Sequence, residues 1–310
     1  MTREPDPRPL RIRVPATCAN LGPGFDVLGL AVELYNTFVV TPSEVVEVVV
    51  EGYGEGMPRD ESNLFYRSFA RLWEVGGQKA PAVRVRMELA VPQGRGLGSS
   101  ATAVIGGLVA ANELMGTDLD RQELLAHAIE LEHGRHADNV APALLGGLVV
   151  NVLEGERVIS VRVPFPEDLR AVLFVPEFKM DTVSGRSLMP ESYSRGDVVF
   201  NTSRVALLMA ALGQGRYDLL SVAMEDRMHQ PYRAKIFPQM RALIGAALEA
   251  GAAGACLSGG GSSVLALAAE GQERIAAAMQ DVARRERVAG EARVLGIDLA
   301  GASCSREGAE

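Results

Sequence analysis

A glycine-rich segment in the first third of the chain has the residue types of a phosphate-binding loop. Residues 92–102 are PQGRGLGSSAT, with glycines at positions 94, 96 and 98 directly before a predicted helix. Glycine lets the backbone adopt positive φ angles and approach a ligand without a Cβ clash. The helix that follows directs free N–H groups and the positive end of its dipole towards the loop. These features predict a phosphate site, although an ordinary loop capped by serine would have a similar composition.

Two hydroxyl groups, those of Ser99 and Ser100, follow the glycines. We expect one of them to cap the helix and the other to contact a phosphate or its Mg²⁺ ion. The loop is not a Walker A motif, because Ser99 stands where that motif has its lysine. It also lacks the dinucleotide-binding fingerprint, which would need glycine or alanine at Leu97 or Ser99.

Polar residues elsewhere could bind a small ligand. Asn20 and Asp26 lie beside glycines, where both residue types also commonly form turns. Arg186 and Arg233 could each hold a carboxylate in a bidentate fork. The 31 basic residues include only three lysines, however, and a solvent-exposed charge is the ordinary role of an arginine. Residue types alone therefore leave these four positions open between ligand binding and structure.

The cysteines and histidines predict neither a disulfide framework nor a zinc site. The three cysteines are far apart and form no C-x-x-C pair. Three of the four histidines lie within residues 127–136, with no cysteine and no H-E-x-x-H pattern beside them. Isolated cysteines in odd number fit a reducing compartment, so we expect a cytoplasmic protein.

Length and composition exclude several classes of protein. A chain of 310 residues with 47% hydrophobic and 23% charged residues is typical of a globular protein of about two domains, not of a disordered chain or a coiled coil. The net charge of −8 argues against a nucleic-acid partner, so any positive potential must be local. Residues 1–13 lack the apolar core of a signal peptide, and the longest apolar stretch, 101–111, is too short to cross a membrane.

The elements that must position these residues fall into two predicted domains, 1–168 and 169–310. In the first, alternation predicts strands at 11–14, 31–41, 44–50, 82–91, 146–152 and 158–163, and helical spacing predicts helices at 64–75, 101–115 and 121–132. The turn residues at 42–43 predict a hairpin between the second and third strands. Two adjacent glycines inside the helix at 101–115 predict close packing against another backbone.

In the second domain we predict strands at 170–175, 253–257, 264–268 and 292–299. Helices are predicted at 198–212, 217–225, 238–250 and 272–289. This order favours an α+β layer over a doubly wound sheet. The tail from Ser303 is expected to fray.

The glycine-rich loop resembles the second motif of the GHMP kinases, named for galactokinase, homoserine kinase, mevalonate kinase and phosphomevalonate kinase. Residues 15–30 (PATCANLGPGFDVLGL) resemble the first motif in its homoserine kinase form, and residues 136–142 (HADNVAP) are also similar to homoserine kinases. Residues 254–265 (GACLSGGGSSVL) resemble the third motif, although the usual S-G-A-G-P-T is SGGGSS here. The resemblance implies a GHMP kinase fold of class α+β. Its N-terminal ATP-binding domain would be similar to domain 2 of ribosomal protein S5, and its C-terminal α+β domain would be ferredoxin-like.

The resemblance implies transfer of phosphate from ATP, with Mg²⁺, to the hydroxyl group of L-homoserine, a step of threonine biosynthesis. It also implies a homodimer. Two alternatives remain: a GHMP kinase for mevalonate, shikimate or an isoprenoid precursor, and a non-catalytic protein of this fold. No dedicated general base is expected, because Asn139 stands where some GHMP kinases have an aspartate. The partners would then be small molecules only, with no nucleic acid and no membrane.

The resemblance also assigns sites. ATP would be held by Asn63 and by the loop residues Pro92, Gly94, Arg95, Gly96, Leu97, Gly98, Ser99, Ser100, Ala101 and Thr102. Homoserine would be held by Asn20, Asp26, His136, Asn139, Thr182, Arg186 and Arg233, with the two arginines on its carboxylate. Mg²⁺ would bind Ser100 and Glu130, and Glu132 is the alternative to Glu130. The catalytic residues would be Asn139, Glu130 and Ser100, while His229 would support the segment that carries Arg233.

Overall fold

The computed structural model describes residues 8–132, 136–155, 157–180 and 182–306. Within these ranges the strands belong to two sheets. The strands are β1 (Leu10–Ala19), β2 (Leu28–Pro42), β3 (Glu47–Gly52), β4 (Val83–Leu89), β5 (Leu148–Glu154), β6 (Arg157–Val163), β7 (Arg170–Pro176), β8 (Gly254–Leu257), β9 (Val264–Ala268), β10 (Gly290–Leu295) and β11 (Ser303–Arg306).

The helices in the described ranges cover the two sheets. They are α1 (Leu64–Val75), α2 (Ser99–Met115), α3 (Arg121–Leu131), α4 (Val140–Leu145), α5 (Thr182–Ser187), α6 (Arg195–Gln214), α7 (Leu220–Ala223), α8 (Gln230–Arg233), α9 (Met240–Glu249) and α10 (Gln272–Arg285), with a 3₁₀ turn at Tyr217–Leu219 before α7. No helix in this part of the chain is both long and apolar enough to cross a bilayer.

The first sheet is organised around β2, which has 15 residues and is long enough to serve two neighbours along one edge. Its first residues pair with β5 and its last seven with β4, while β1 runs antiparallel along its other edge. The full order is β11-β1-β2-β4-β3, with β6 added outside β5. The predicted pairing of the strands around 146–163 is confirmed, since β5 and β6 are antiparallel neighbours.

The predicted hairpin between β2 and β3 is wrong. Strand β4 lies between them, antiparallel to β2 and parallel to β3. Parallel neighbours need a crossover connection, and α1 supplies it between β3 and β4. The turn residues at 42–43 therefore end β2 without folding the chain back onto it.

The second sheet has the antiparallel order β10-β7-β9-β8. Helices α9 and α10 pack against it around buried residues such as Phe174, Leu243 and Met279. The predicted α+β organisation of this part is confirmed. The predicted boundary near residue 168 falls between β6 and β7 and thus between the sheets.

The expectation of a frayed tail from Ser303 is wrong for residues 303–306, which form β11. This strand pairs with β1 from Leu10 to Arg13, so the chain returns to the first sheet after it has completed the second. The side chain of Arg121 donates to the backbone oxygens of Leu144, Ala300 and Ala302 and ties this return segment to the end of α4.

Close packing at the paired glycines of α2 is confirmed. A Cβ atom at Gly107 would lie 2.3 Å from the backbone oxygen of Phe65 and 2.8 Å from the backbone nitrogen of Phe69, both in α1. A Cβ atom at Gly106 would meet the ring of Phe38 at 2.8 Å. Helix α1 can approach α2 this closely because these two positions carry no side chain.

This contact generates a stability prediction. Gly107→Ala should lower the free energy of unfolding by about 1–3 kcal/mol, because the new methyl group has to displace the α1 backbone. Gly245→Ala is the matched control in α9, where a Cβ would have no neighbour within 4 Å. That variant should gain about 0.5–1 kcal/mol from helix propensity. Denaturant titration measures both, and a stabilised Gly107→Ala protein would contradict the packing argument.

Candidate active site

A cavity of about 440 Å³ lies where three glycine-containing segments meet. The backbone nitrogen of Gly259 donates to the oxygen of Ala19 at 2.9 Å, which joins the β8–β9 loop to the end of β1. The hydroxyl of Ser258 donates to the oxygen of Gly96 at 2.6 Å, which joins the same loop to the segment before α2. Three segments that are remote in sequence therefore share one set of backbone hydrogen bonds at the cavity wall.

Gly96 is required by this arrangement. Its φ of +71° lies in the left-handed region, and a Cβ atom there would be 2.1 Å from the backbone oxygen of Ser258. The SGGGSS sequence still provides close approach, since Gly259 and Gly260 line the cavity. The contact between the two loops thus depends on small residues on both sides.

The N-terminus of α2 opens into the cavity. Its N-cap residue is Gly98, with φ of 67°, and no side chain caps the helix. The expectation that a serine caps it is wrong, because Ser99 and Ser100 are already the first two helical residues; the hydroxyl of Ser99 instead donates to the oxygen of Val91 at 3.3 Å. Gly98 and both serines line the cavity, so the uncapped N-terminus of α2 borders this space.

Four of the loop residues predicted at the nucleotide lie outside the cavity lining: Pro92, Arg95, Ala101 and Thr102. The guanidinium of Arg95 donates to the backbone oxygens of Gln93, Pro176 and Glu177, so its hydrogen bonds attach the loop to the end of β7. The hydroxyl of Thr102 accepts from Asn36 at 2.7 Å in the protein interior. Arg95 and Thr102 therefore attach the loop to neighbouring elements, while Gly94, Gly96, Leu97 and Gly98 line the cavity.

One end of the cavity is apolar and lies beside Asn63. The side chain of Asn63 caps α1 by accepting from the backbone nitrogen of Phe65 at 3.0 Å and donates to the oxygen of Pro58 at 2.7 Å. Sequence reasoning missed the residues around it, which are Gly56, Met57, Pro58, Leu64 and Met87. No local pattern marks them, because they come from a loop, a helix start and a strand.

The other end is polar and contains an ion pair between Asp26 and Arg186. The two carboxylate oxygens accept from the two terminal nitrogens of the guanidinium at 2.6 and 3.0 Å. His136 Nδ1 lies 3.4 Å from the same carboxylate. The side chain of Asn20 donates to the oxygen of Gly259 at 2.9 Å and accepts from the backbone nitrogen of Asp26 at 3.0 Å. Asn20 thus fixes the loop that presents Asp26.

The remaining predicted substrate residues are Asn139, Arg233 and Thr182. Asn139 lines the cavity and accepts from the hydroxyl of Thr17 at 2.9 Å. Arg233 lines the cavity as a buried side chain. Thr182 is the first residue of α5, and its side chain lies outside the described residues.

The structure does not bring Glu130 to the cavity. Its carboxylate is 59% exposed and pairs with Arg71 of α1 at 3.2 Å. Glu132 lines the cavity instead. Helix α3 ends at Leu131, and the extended backbone of Glu132 (φ −81°, ψ 130°) turns away from the helix axis. Between the two glutamates that the sequence leaves open, only Glu132 is therefore placed to bind a ligand in this cavity.

Sequence reasoning missed Asp138, a buried carboxyl group in the cavity wall. Burial, and after it the nearby charge of Asp26, raises its pKa to about 7. The side-chain nitrogen of Asn139 lies 3.5 Å from it, at the limit of a hydrogen bond. Burial lowers the pKa of the neighbouring His136, against the opposing effect of Asp26. Asp138 lies inside the HADNVAP segment, but its burial is a tertiary property that no local pattern reveals.

The expectation that His229 supports Arg233 is confirmed. Its Nδ1 lies 2.6 Å from Nη1 of Arg233, and both side chains are buried. The ring of Phe25 stacks on His229 at a centroid distance of 5.3 Å, and the guanidinium groups of Arg186 and Arg233 lie 5.3 and 5.6 Å from the same ring. Both guanidinium groups therefore lie near the ring of Phe25 at the polar end of the cavity.

The raised pKa of Asp138 generates a pH prediction. An acid whose pKa rises on folding binds its proton more tightly in the folded state, so its ionisation destabilises the protein as pH rises from about 3.8 to about 7. Asp138→Asn removes that ionisation. The free energy of unfolding of the variant, measured relative to that of the parent, should increase as pH rises through this range, by up to about 4 kcal/mol. Below about pH 3.8 the variant should show no such gain. Denaturant titrations at several pH values measure this difference in free energy of unfolding. A difference that does not change with pH would show that the pKa of Asp138 is not raised on folding.

Comparison with known proteins identifies the class to which this fold belongs. The family model described as the GHMP kinases N terminal domain matches residues 63–147, and the model described as GHMP kinases C terminal matches residues 208–285. The class of protein is therefore that of the GHMP kinases.

Individual relatives identify the family within this class to which the chain is similar. A homoserine kinase of Desulfitobacterium hafniense is 42% identical over 296 residues, which cover 95% of this chain and 99% of the relative. A homoserine kinase of Deinococcus radiodurans is 47% identical over 83% of this chain and 84% of its own length. The crystal structure of homoserine kinase from Cytophaga hutchinsonii superposes with a TM-score of 0.88 at 29% identity, over 98% of this chain and 100% of that one. The chain belongs to the homoserine kinase family.

Proposed function

We propose that the protein transfers the γ-phosphoryl group of ATP to the hydroxyl group of L-homoserine and forms O-phospho-L-homoserine, a step of threonine biosynthesis. One observation carries this proposal: a single cavity joins the uncapped N-terminus of α2 to a cluster of charged groups suited to a zwitterion. Positioning and charge neutralisation supply most of the catalysis in phosphoryl transfer, and this cavity offers both.

The nucleotide would lie along the loop before α2. The first-turn N–H groups of α2 and the backbone of Gly94, Gly96 and Gly98 would bind the phosphates, because a helix N-terminus and a glycine-rich loop favour anions. The apolar end of the cavity, beside Asn63 and Met57, would take the adenine ring. Ser100 and Glu132 line the same cavity and offer hard oxygen ligands, which fit Mg²⁺ bound mainly by phosphate and water. When bound there, Mg²⁺ would neutralise charge on the phosphate oxygens.

Homoserine would lie at the polar end. Arg233 would bind its α-carboxylate, since a guanidinium fork matches a carboxylate. Arg186 would contribute through the N–H groups that Asp26 does not use. Asp26 is already bound by Arg186 through both oxygens, which leaves Asp138 as the carboxyl group better placed for the substrate ammonium. A cation there would stabilise the ionised form of Asp138.

Asn139 would orient the homoserine hydroxyl for in-line attack, and an amide cannot act as a general base at neutral pH. We therefore propose that the hydroxyl proton passes to phosphate or water, with no dedicated base. The three cysteines are free, which suits the cytoplasm as the proposed location. A homodimer is a further proposal, and it rests on the resemblance to homoserine kinases.

The second candidate is a GHMP kinase with another alcohol substrate. Mevalonate and shikimate carry a carboxylate but no ammonium, so neither would use the buried carboxyl group of Asp138. ATP consumption measured with homoserine, mevalonate and shikimate separates the candidates. Turnover that depends on homoserine supports the proposal. Preference for another alcohol would contradict it, and so would a protein that consumes no ATP with any of them.

The proposed metal site predicts different effects for two glutamates. Glu132→Gln should lower kcat by about 10²-fold and raise the Mg²⁺ concentration needed for half-maximal rate, because it removes a charged oxygen ligand. Glu130→Gln is the matched control, since Glu130 pairs with Arg71 outside the cavity. It should leave the rate within about twofold, as expected for an exposed ion pair. Steady-state assays over a series of Mg²⁺ concentrations measure both effects. A larger loss in Glu130→Gln than in Glu132→Gln would contradict the proposal and indicate Glu130 as the metal ligand.

The carboxylate fork predicts a substrate-specific loss. Arg186→Ala should raise the homoserine KM by about 10- to 100-fold, since truncation of a paired arginine costs a few kcal/mol of binding. The ATP KM should stay within about twofold, because Arg186 lies at the polar end. Arg216→Ala is the control, because this arginine pairs with Asp218 on the exposed surface. Equal changes in both KM values would contradict the assignment of Arg186 to the carboxylate.

A further inference from the structure

The guanidinium of Arg233 is held from one side only. It is one of the largest fully buried side chains among the described residues. Its Nη1 contacts His229 Nδ1 at 2.6 Å and the backbone oxygen of Gly259 at 3.3 Å. Its Nε, in contrast, is buried and has no hydrogen-bond partner within the described ranges. A buried donor without a partner is costly, and this one belongs to a side chain that lines the cavity.

The contact with His229 identifies the tautomer of the imidazole. Its Nε2 lies 2.7 Å from the backbone oxygen of Gly22, which can only accept a hydrogen bond, so Nε2 carries the proton. Arg233 can only donate, so Nδ1 must be the unprotonated acceptor. Burial lowers the pKa of His229 to about 4, which keeps the ring neutral. The ring therefore accepts a hydrogen bond from Arg233 without neutralising its positive charge.

The difference between a neutral and a charged hydrogen-bond acceptor for Arg233 affects how strongly the arginine attracts a carboxylate. A carboxylate placed against Nη1 would satisfy the arginine and weaken its attraction for a second anion. A neutral acceptor fixes the fork without a carboxylate in contact with Nη1, and the carboxyl groups of Asp26, Asp226 and Asp138 act on the guanidinium through space. Nε and Nη2 form the side edge of a guanidinium, which is an edge suited to bidentate carboxylate binding.

Asp226 holds the segment that carries both residues. Its buried carboxylate accepts from the backbone nitrogens of Met228, His229 and Gln230 at 2.9, 2.9 and 2.7 Å, and from the side chain of Asn201 at 2.7 Å. These bonds hold the two residues before α8 and its first residue, Gln230, and α8 itself is only four residues long. Residues 229 and 233 consequently share one face of that helix turn.

We propose that His229 and Asp226 are positioning residues for carboxylate recognition: they bind one side of Arg233 and its helix turn, and thereby direct the Nε–Nη2 edge towards the substrate carboxylate. This inference rests on the proposed function and adds to it the source of the orientation of Arg233. Neither residue needs to touch the substrate.

Two conservative variants of His229 distinguish a loss of Arg233 orientation from an overall destabilisation of the protein. His229→Asn places an amide oxygen near the position of Nδ1 and keeps the acceptor for Arg233. His229→Gln places its amide near Nε2 and keeps the donor to Gly22 but loses the acceptor. We expect His229→Gln to raise the homoserine KM by about 10- to 100-fold, because displacement of a binding group by about 1 Å can have an effect of this size. The ATP KM should not change. His229→Asn should recover most of the loss.

A substrate without the carboxylate supplies the readout that a purely structural role would not change. The expected ratio of kcat/KM between His229→Gln and the parent is near one for 3-aminopropan-1-ol and far below one for L-homoserine. Equal losses with both substrates, or equal losses in the Asn and Gln variants, would overturn the inference. An unchanged homoserine KM in His229→Gln would also overturn it.

Failure of the proposed function gives a different result. The parent protein would then not phosphorylate homoserine, and the kinetic comparison would not apply. Crystal structures of the parent and of His229→Gln decide the inference in that case. A rotated Arg233 fork in the variant supports it, and an Arg233 fork in the same position in both overturns it.

Discussion

Burial of the Arg233 guanidinium is the constraint that organises the polar half of this protein. A charge removed from water must be surrounded by groups that offset the loss of hydration. Here those groups come from three separate segments: His229 from the start of α8, the oxygen of Gly259 from the β8–β9 loop and, through His229, the oxygen of Gly22 from the β1–β2 loop. The loops around the cavity are therefore mutually dependent, because each satisfies a polar atom of another.

Local charge and overall charge have opposite signs in this molecule. The chain has a net charge of −8, yet the proposed ligands, ATP and an α-amino acid, both carry negative groups. The proposed sources of positive potential are the N-terminus of α2 and two arginines near the Phe25 ring. One of them, Arg186, is largely neutralised by Asp26, whereas Arg233 faces a neutral imidazole. The acidic excess of the whole chain fits solubility and carries little information about the site.

Features that depend on neighbouring residues were predictable from the sequence, and those that depend on distant contacts were not. Helix α1 has the predicted bounds because its apolar spacing is local. The position of β4 between β2 and β3 depends on a crossover that strand alternation alone does not specify. Likewise, motif similarity located the glycine-rich loop that lines the cavity, but which glutamate reaches the cavity depends on where α3 ends. Asp138 could not be found at all from composition, because its distinction is burial.

The order in which the strands are made differs from the order in which they lie. Strand β1 is synthesised before the four strands of the second sheet, but its outer partner, β11, comes from residues 303–306, after them. The ribosome must therefore synthesise every strand of the second sheet before this edge of the first sheet is covered. Until then β1 presents an unpaired strand edge, the kind of surface through which nascent chains aggregate. Completion of the first sheet is consequently a late event in biosynthesis, after the second sheet has left the ribosome.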